Sequence, residues 1–285
     1  MIITVVCVTM ALATGAYAAA DKAFEIKGAG LLSGVVQQYL DAYADSQDCP
    51  GVIVGATTGK GFKAFLAGTA DVVMASRAMN DKETAKAAEV GIDAQSKQIG
   101  YVCVAIVTSP DVTVSELTME QLRKIFTGEI ANWKDVGGPD AKIRVTTRAV
   151  PETGTGVVFQ NTILKGAPYA PESLIMRSYG TTASVCSKGY SIGYIPVTSA
   201  YFTKGMEAKS FKVLGVKTTM ESPGLYPEEG PVLSSAYPVT IPFHLYWNAN
   251  NNSQCVVNFA DYVVNNLAPR YSTPTPHPAA SVASK

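Results

Sequence analysis

A charge imbalance is the first thing this sequence lacks. Its 23 basic residues are matched by 23 acidic ones, so there is no cationic surplus to neutralise a nucleic-acid backbone. Any anion it binds must be held by local geometry and not by an overall positive field. Histidine is scarce as well. His244 and His277 are the only two, and no cysteines are spaced C-x-x-C, which leaves a zinc site without a ligand pattern. Gly55 to Gly61 has neither the spacing nor the final Ser/Thr of a P-loop, and nothing else in the pattern calls for a cofactor. The first twenty residues contain no charge at all. The apolar stretch from Ile2 to Ala13 is shorter than the roughly 20 residues a membrane span needs. It runs into Ala16-Tyr17-Ala18, a small-x-small cleavage signature. Cys7 lacks the small-residue context of a lipoprotein site. Residues 1–20 are therefore expected to be a signal peptide, and the mature protein to be periplasmic or secreted.

What is present fits an exported globular protein. The chain has 285 residues, of which 47% are apolar, enough for two lobes of ordinary domain size. Beyond the signal lie Cys49, Cys103, Cys186 and Cys255. Four cysteines allow three pairings, and in an oxidising compartment one or two disulfides are expected. Apolar strands alternate with amphipathic helical stretches. Strands are expected at Phe24–Lys27, Gly51–Gly55, Asp71–Ala75, Gly100–Val107, Ile143–Thr147, Ser191–Pro196 and Val239–Trp247. Helices are expected at Val35–Ala44, around Phe62, Phe65 and Leu66, and at Ser115–Phe126, Gly154–Leu164 and Val256–Leu267. Pro223–Pro231, rich in proline and glycine, suits a crossing between lobes. The proline-rich tail at 269–285 is expected to be disordered. Such alternation implies an α/β protein with mostly parallel sheets.

One local arrangement recurs three times: a strand, a Gly/Thr/Ser turn, then a helix start. It occurs at Gly28–Gly34, Thr57–Gly61 and Thr153–Gly156. Helix starts present unpaired N–H groups and a partial positive charge. Glycine admits close backbone approach, and hydroxyls add donors. Ser76-Arg77 and Arg148 follow strands directly, and arginine recognises oxyanions with a planar fork of donors.

These residues carry a family resemblance. The most specific stretches are Thr57-Thr58-Gly59-Lys60-Gly61-Phe62, Ala70-Asp71-Val72-Val73-Met74-Ala75-Ser76-Arg77, and Leu117-Thr118-Met119-Glu120-Gln121-Leu122 running into Ile125-Phe126-Thr127-Gly128 and Asn132-Trp133. Arg148 before Thr153-Gly154-Thr155, and Ile192-Gly193-Tyr194, complete the set. From about Phe24 to Leu267 the chain resembles the phosphate-binding proteins of bacterial Pst-type importers, in the type II periplasmic-binding superfamily. The resemblance implies a Venus-flytrap with two α/β lobes and a two-strand hinge. One lobe is expected from 21–107 plus 231–268, the other from 108–230. Its ligand positions fall on Gly30, Leu32 and Ser33 of the first turn, on Thr58, Ser76 and Arg148, and on Thr153, Gly154 and Thr155. Arg77 matches an arginine found in part of the family. Thr58 stands for a usual serine, and Leu32 stands where a hydroxyl is common. Glu152 occupies a changed loop, Val150-Pro151-Glu152, where the family often carries the aspartate that accepts the proton of hydrogen phosphate. The implied partners are inorganic phosphate or a related oxyanion (sulfate, molybdate) and an ABC permease, with the protein a monomer that is not an enzyme. A sensor or scaffold without a transporter is the other binding-protein reading.

A serine hydrolase is the rival class. Gly189-Tyr190-Ser191-Ile192-Gly193 fits G-x-S-x-G, with Glu228 and His244 following in order. That elbow requires a helix after Ser191, whereas Ile192–Val197 reads as a strand. Lys60, in the second turn, is expected to be either a charge near the site or a solvated lysine.

Overall fold

The computed structural model describes residues 23–44, 49–150, 153–198, 200–227 and 237–267. The expected signal peptide, the tail and Glu152 lie outside them. Strand β1 (Phe24–Ala29) leads through a 3-10 turn (Gly30–Leu32) into α1 (Ser33–Ala44), and β2 (Gly51–Ala56) leads into α2 (Thr58–Leu66). After β3 (Val72–Ala75) come α3 (Asp81–Glu89) and the long β4 (Ala94–Thr108). The middle of the chain adds β5 (Glu116–Thr118), α4 (Met119–Thr127), β6 (Arg144–Arg148) and α5 (Gly154–Thr162). Then follow β7 (Leu174–Met176), α6 (Tyr179–Val185), β8 (Ser191–Pro196), α7 (Ala200–Glu207) and β9 (Lys212–Lys217). Strand β10 (Thr240–Asn248) and α8 (Gln254–Leu267) close the described chain.

The strands run in the order β2-β1-β3-β10-β4-β8-β6-β7, with β9 bridging β4 and β5. The pairs β1–β2, β1–β3, β5–β9, β6–β7 and β6–β8 are parallel. The antiparallel pairs all involve β4 or β10. Parallel βαβ units thus form the flanks, as the alternating pattern implies, and the antiparallel pairing sits where the chain crosses between them.

Two hydrophobic cores flank that crossing. One gathers Ile26, Leu32, Leu40, Met74, Phe243 and Phe259; the other gathers Ile106, Phe126, Trp133, Phe159, Tyr194 and Leu214. Strand β4 joins them. Its residues Ala94 to Cys103 pair with β10, and Val104 to Thr108 pair with β8 and β9. Its second half is buried throughout, as expected for a strand covered on both faces. At the changeover Val104 N–H donates to Val239 O at 2.9 Å, and Tyr237 Oη donates to Val104 O at 3.4 Å. The two crossing segments are therefore bonded side by side. The lobes also meet at Thr198, whose Oγ1 donates to Leu31 O at 2.9 Å.

Cys49 and Cys255 form a disulfide that ties the lead-in of β2 to α8 across 206 residues. Cys103 and Cys186 are buried thiols, one at the crossing and one in the second lobe.

The helix expected from Ser115 starts later. Thr118 accepts from Gln121 N–H while the Gln121 side chain accepts from Thr118 N–H, a capping box that begins α4 at Met119. Glu116 to Thr118 instead pair with β9. Strand β4 also begins six residues before Gly100, because β10 supplies a partner for the polar stretch 94–99.

Candidate anion-binding site

A cavity of about 210 Å³ opens between the two cores. Its first-lobe wall is Ala29, Gly30 and Leu31 from the turn before α1, with Ala56, Thr57 and Thr58 at the start of α2. Strands β1 and β2 are parallel, so both release their helices at the same edge. Close packing keeps them there. A Cβ on Gly28, whose φ is 145°, would lie 2.0 Å from Met74 O, and one on Gly61 would lie 2.8 Å from Gly28 Cα. Only glycine at these two positions lets α2 rest against β1. Thr57 caps α2 by accepting from Lys60 N–H at 3.3 Å. Thr58 is buried; its Oγ1 accepts from Ser76 N–H at 3.0 Å and lies 2.9 Å from Ser76 Oγ.

The second-lobe wall is Arg148, Thr153, Gly154, Thr155 and Tyr179. Arg148 ends β6, and its N–H donates to Tyr194 Oη at 3.0 Å. Tyr194 Oη also lies 3.2 Å from Thr147 Oγ1 and 3.1 Å from Tyr169 Oη, and Tyr169 Oη donates to Gly156 O at 3.1 Å. This buried hydroxyl chain ties the end of β6 to the first turn of α5. The Arg148 guanidinium donates from one Nη to Met176 O at 2.8 Å and lies 4.8 Å from the Tyr179 ring centre. Its Nε is buried with no hydrogen-bond partner, an arrangement that costs free energy unless something accepts from it. Thr153 caps α5, accepting from Gly156 N–H at 3.3 Å and donating to Ala149 O at 2.7 Å. Thr155 Oγ1 and Tyr179 Oη are 2.5 Å apart. Burial pushes the Tyr179 phenol up, outweighing the opposite pull of the Thr155 hydrogen bond and the Arg148 charge.

Six of the residues expected at the site therefore share one cavity: Gly30, Thr58, Arg148, Thr153, Gly154 and Thr155. The others are not among its lining. Ser76 stands beside Thr58, its Oγ 3.7 Å from the place a Cβ on Gly154 of the opposite wall would occupy. Ser33 starts α1 beside the cavity, and its Oγ is buried without a partner. Leu32 is fully buried in the first-lobe core, so its side chain faces away from the cavity. Arg77 grips Glu83 with both Nη atoms, at 2.7 and 2.9 Å, and stacks on Phe62. It does not line the cavity. Lys60 is exposed.

Tyr179 is the lining residue that the sequence reading misses. It follows Ser178, whose side chain accepts from Thr181 N–H in a capping box. Ser178-Tyr179-Gly180-Thr181, directly after β7, repeats the strand–hydroxyl–helix arrangement and is the signal that could have found it.

Ser191 begins β8, is fully buried and donates to Lys188 O at 2.9 Å. The strand continues through Pro196, so the helix a nucleophile elbow requires does not follow. His244 belongs to β10, paired with Ala75 of the first lobe; Glu228 lies outside the described residues.

The chemistry offered is that of oxyanion binding. The amides of the first two residues of α2 and of α5 are left as donors beyond the Thr57 and Thr153 caps, hydroxyls surround them, and one arginine supplies charge. The described lining contains no carboxylate.

A family model described as a PBP superfamily domain matches residues 14–266. The phosphate-binding protein PstS of Borreliella burgdorferi is 28% identical over 185 residues, 61% of this chain and 62% of that protein. The protein of the same name from Bacillus subtilis is 31% identical over 160 residues, 55% of this chain and 49% of its own. The match thus spans between about half and three fifths of these relatives' length. Among solved structures, an ABC-type phosphate transport receptor from Vibrio cholerae superposes with a TM-score of 0.65 at 22% identity, covering 84% of this chain and 93% of that one. At that identity the likeness speaks for the fold: two α/β lobes of the type II binding-protein class.

Proposed function

The chain belongs to the PBP superfamily, and from that premise we propose that it is an extracytoplasmic solute-binding protein. In this reading it captures a tetrahedral oxyanion, phosphate first, between its lobes and delivers it to an ABC importer. The observation that carries the reading is Arg148, which lines a cavity walled by the helix starts of α2 and α5 and whose Nε is buried with no hydrogen-bond partner. A charge-assisted hydrogen bond contributes roughly 1.5–3 kcal/mol, and micromolar affinity needs about 8 kcal/mol. Several such bonds suffice after the cost of closing.

The PstS names of the relatives favour phosphate over other oxyanions. Glu152, directly before Thr153, remains the proposed acceptor for a protonated ligand, since a carboxylate facing sulfate has no proton to receive. The lobe boundaries we propose are 21–107 with 231–268, and 108–230; the first boundary falls within β4, a few residues after its change of partner at Cys103 and Val104. Residues 1–20 are proposed to be an export signal. Among the described residues no helix is long and apolar enough to cross a membrane. The binding role requires no catalytic residue or cofactor, and the protein acts as a monomer.

Calorimetric titration of anion-stripped protein with phosphate, with sulfate, arsenate and molybdate as competitors, tests the assignment. Tight phosphate binding with sulfate excluded is the expected result. A sulfate or molybdate preference would overturn the ligand and keep the fold, and the absence of any binding would leave the sensor or scaffold reading.

A further inference from the structure

Two hydroxyl pairs around the cavity have a hydrogen to spare, one on each wall, while Thr57 accepts from Lys60 N–H. Thr153 has spent its single hydrogen on Ala149 O. Thr58 is shared with Ser76, accepting from its N–H and facing its Oγ. Thr155 and Tyr179 differ in that both members of their pair line the cavity, whereas Ser76 does not. They hold two hydroxyl hydrogens between them, and at 2.5 Å one joins the two oxygens. Whichever residue donates, the other keeps one hydrogen to offer. Both residues line the cavity. The phenol stays protonated well past neutral pH, because burial pushes it up.

The same side chain has a second task. The Arg148 guanidinium lies over the Tyr179 ring at 4.8 Å, a cation–π arrangement that restrains the plane of the fork. One Nη is committed to Met176 O, which precedes Tyr179 by three residues. Ring and carbonyl together leave the guanidinium little freedom, with Nε buried and unpartnered.

We propose that Tyr179 is an oxyanion-contacting residue of the cleft: its ring face orients Arg148, and its hydroxyl, paired with Thr155, presents one hydrogen to the ligand. This rests on the reading of the cavity as an oxyanion site and adds to it a neutral donor and an aromatic shelf. The contact is with an unprotonated ligand oxygen, so it serves phosphate, arsenate and sulfate alike. Selection among them lies elsewhere in the site.

The test is a set of calorimetric titrations on the full folded protein with inorganic phosphate, repeated with sulfate and molybdate. In a Thr155→Val background, Tyr179→Phe keeps the ring and leaves the pair no hydrogen to give; affinity is expected to fall about tenfold below the wild type for whichever anion it binds. Tyr179→Leu in the same background removes the ring as well and is expected to cost about a further tenfold. That further loss should shrink in an Arg148→Lys background, because an ammonium is still attracted to the ring face but has no plane for the ring to set. A merely structural tyrosine would not show this coupling. Tyr179→Phe with Thr155→Val binding like the wild type would overturn the donor role, and an undiminished Tyr179→Leu penalty in the Arg148→Lys background would overturn the shelf. A wild type that binds none of the three anions would instead overturn the oxyanion reading itself, and this inference with it.

Discussion

The two walls of the cleft are built from the same local device and differ in what they have left to give. On the first lobe the arginine and the two threonines of the α2 turn are already engaged, while Ser33 Oγ is left without a partner. Thr58 is locked to Ser76, Thr57 caps α2, and Arg77 is closed onto Glu83 by two hydrogen bonds. A disulfide staples that lobe from β2 to α8. The second lobe has no disulfide among its described residues. It has instead a buried chain of Tyr169, Tyr194 and Thr147, and an arginine with an unspent N–H. The comparison teaches a division of labour: charge resides on one wall, and the other contributes backbone amides and neutral hydroxyls. Capture by the arginine wall followed by closure of the neutral one is the order this asymmetry favours.

Breaking the charged wall should have the largest effect. Arg148→Ala removes the single charged group of the described lining and is expected to weaken phosphate binding at least about 100-fold by calorimetry, the worth of one or two charge-assisted bonds. On the neutral wall, Thr58→Val should weaken binding about fivefold. It should also lower the melting temperature, since Ser76 N–H and Oγ lose their partner.

The staple sharpens the comparison from the side of stability. A loop this long predicts about 5 kcal/mol from the disulfide in the chain-entropy account. Reduction, or Cys49→Ser with Cys255→Ser, should lower the melting temperature by many degrees and leave phosphate affinity of the still-folded protein within about twofold. A large loss of affinity would mean that the staple shapes the cleft.

The smallest effect on binding is expected from Arg77→Ala, within about twofold, because its fork is occupied by Glu83. Its signature is in stability against pH. Burial pushes the Glu83 carboxyl up, but the Arg77 hydrogen bonds and the Asn80 amide outweigh it and hold the group below its ordinary value. A depressed carboxyl contributes stability above its unfolded pKa, about 4.3, and loses it as pH falls through the folded value. The wild type should therefore lose part of its acid-side stability below about pH 4, and Arg77→Ala should flatten that loss. Strong impairment of phosphate binding by Arg77→Ala would place charge on both walls and end the asymmetry.

Much of this fold is legible in the residues. Strands β3 and β8 lie within a few residues of the apolar runs that announce them, because strands buried on both faces are apolar throughout; β1 shows instead as an alternation of buried and half-buried residues. Helix α3 goes unread: of its nine residues only Ala87 is buried, so it has no apolar stripe to detect. Helix α4 is placed four residues early, since Leu117 fits a helical period as well as a strand and only the Thr118–Gln121 box decides.

At the site, the hydroxyl-and-glycine turns are local features and mark Gly30, Thr58 and Thr153–Thr155 directly. The fates of Arg77 and Leu32 depend on tertiary partners. An arginine after a strand looks the same whether it faces a ligand or the Glu83 of the next capping box. Leu32 turns inward because the first-lobe core accepts an apolar side chain there. Tyr179 is hidden for the same reason. Nothing adjacent in sequence reveals that its ring will meet Arg148, 31 positions earlier.

The central claim is that a tetrahedral oxyanion sits between these walls. Arsenate soaked into crystals of the anion-stripped protein tests it most directly, because arsenic can be located by its anomalous scattering. The account predicts one strong peak in the cavity, within hydrogen-bond distance of Arg148 and Thr155 and facing the start of α2. Peaks confined to the outer surface, or none at all at saturating arsenate, would contradict it.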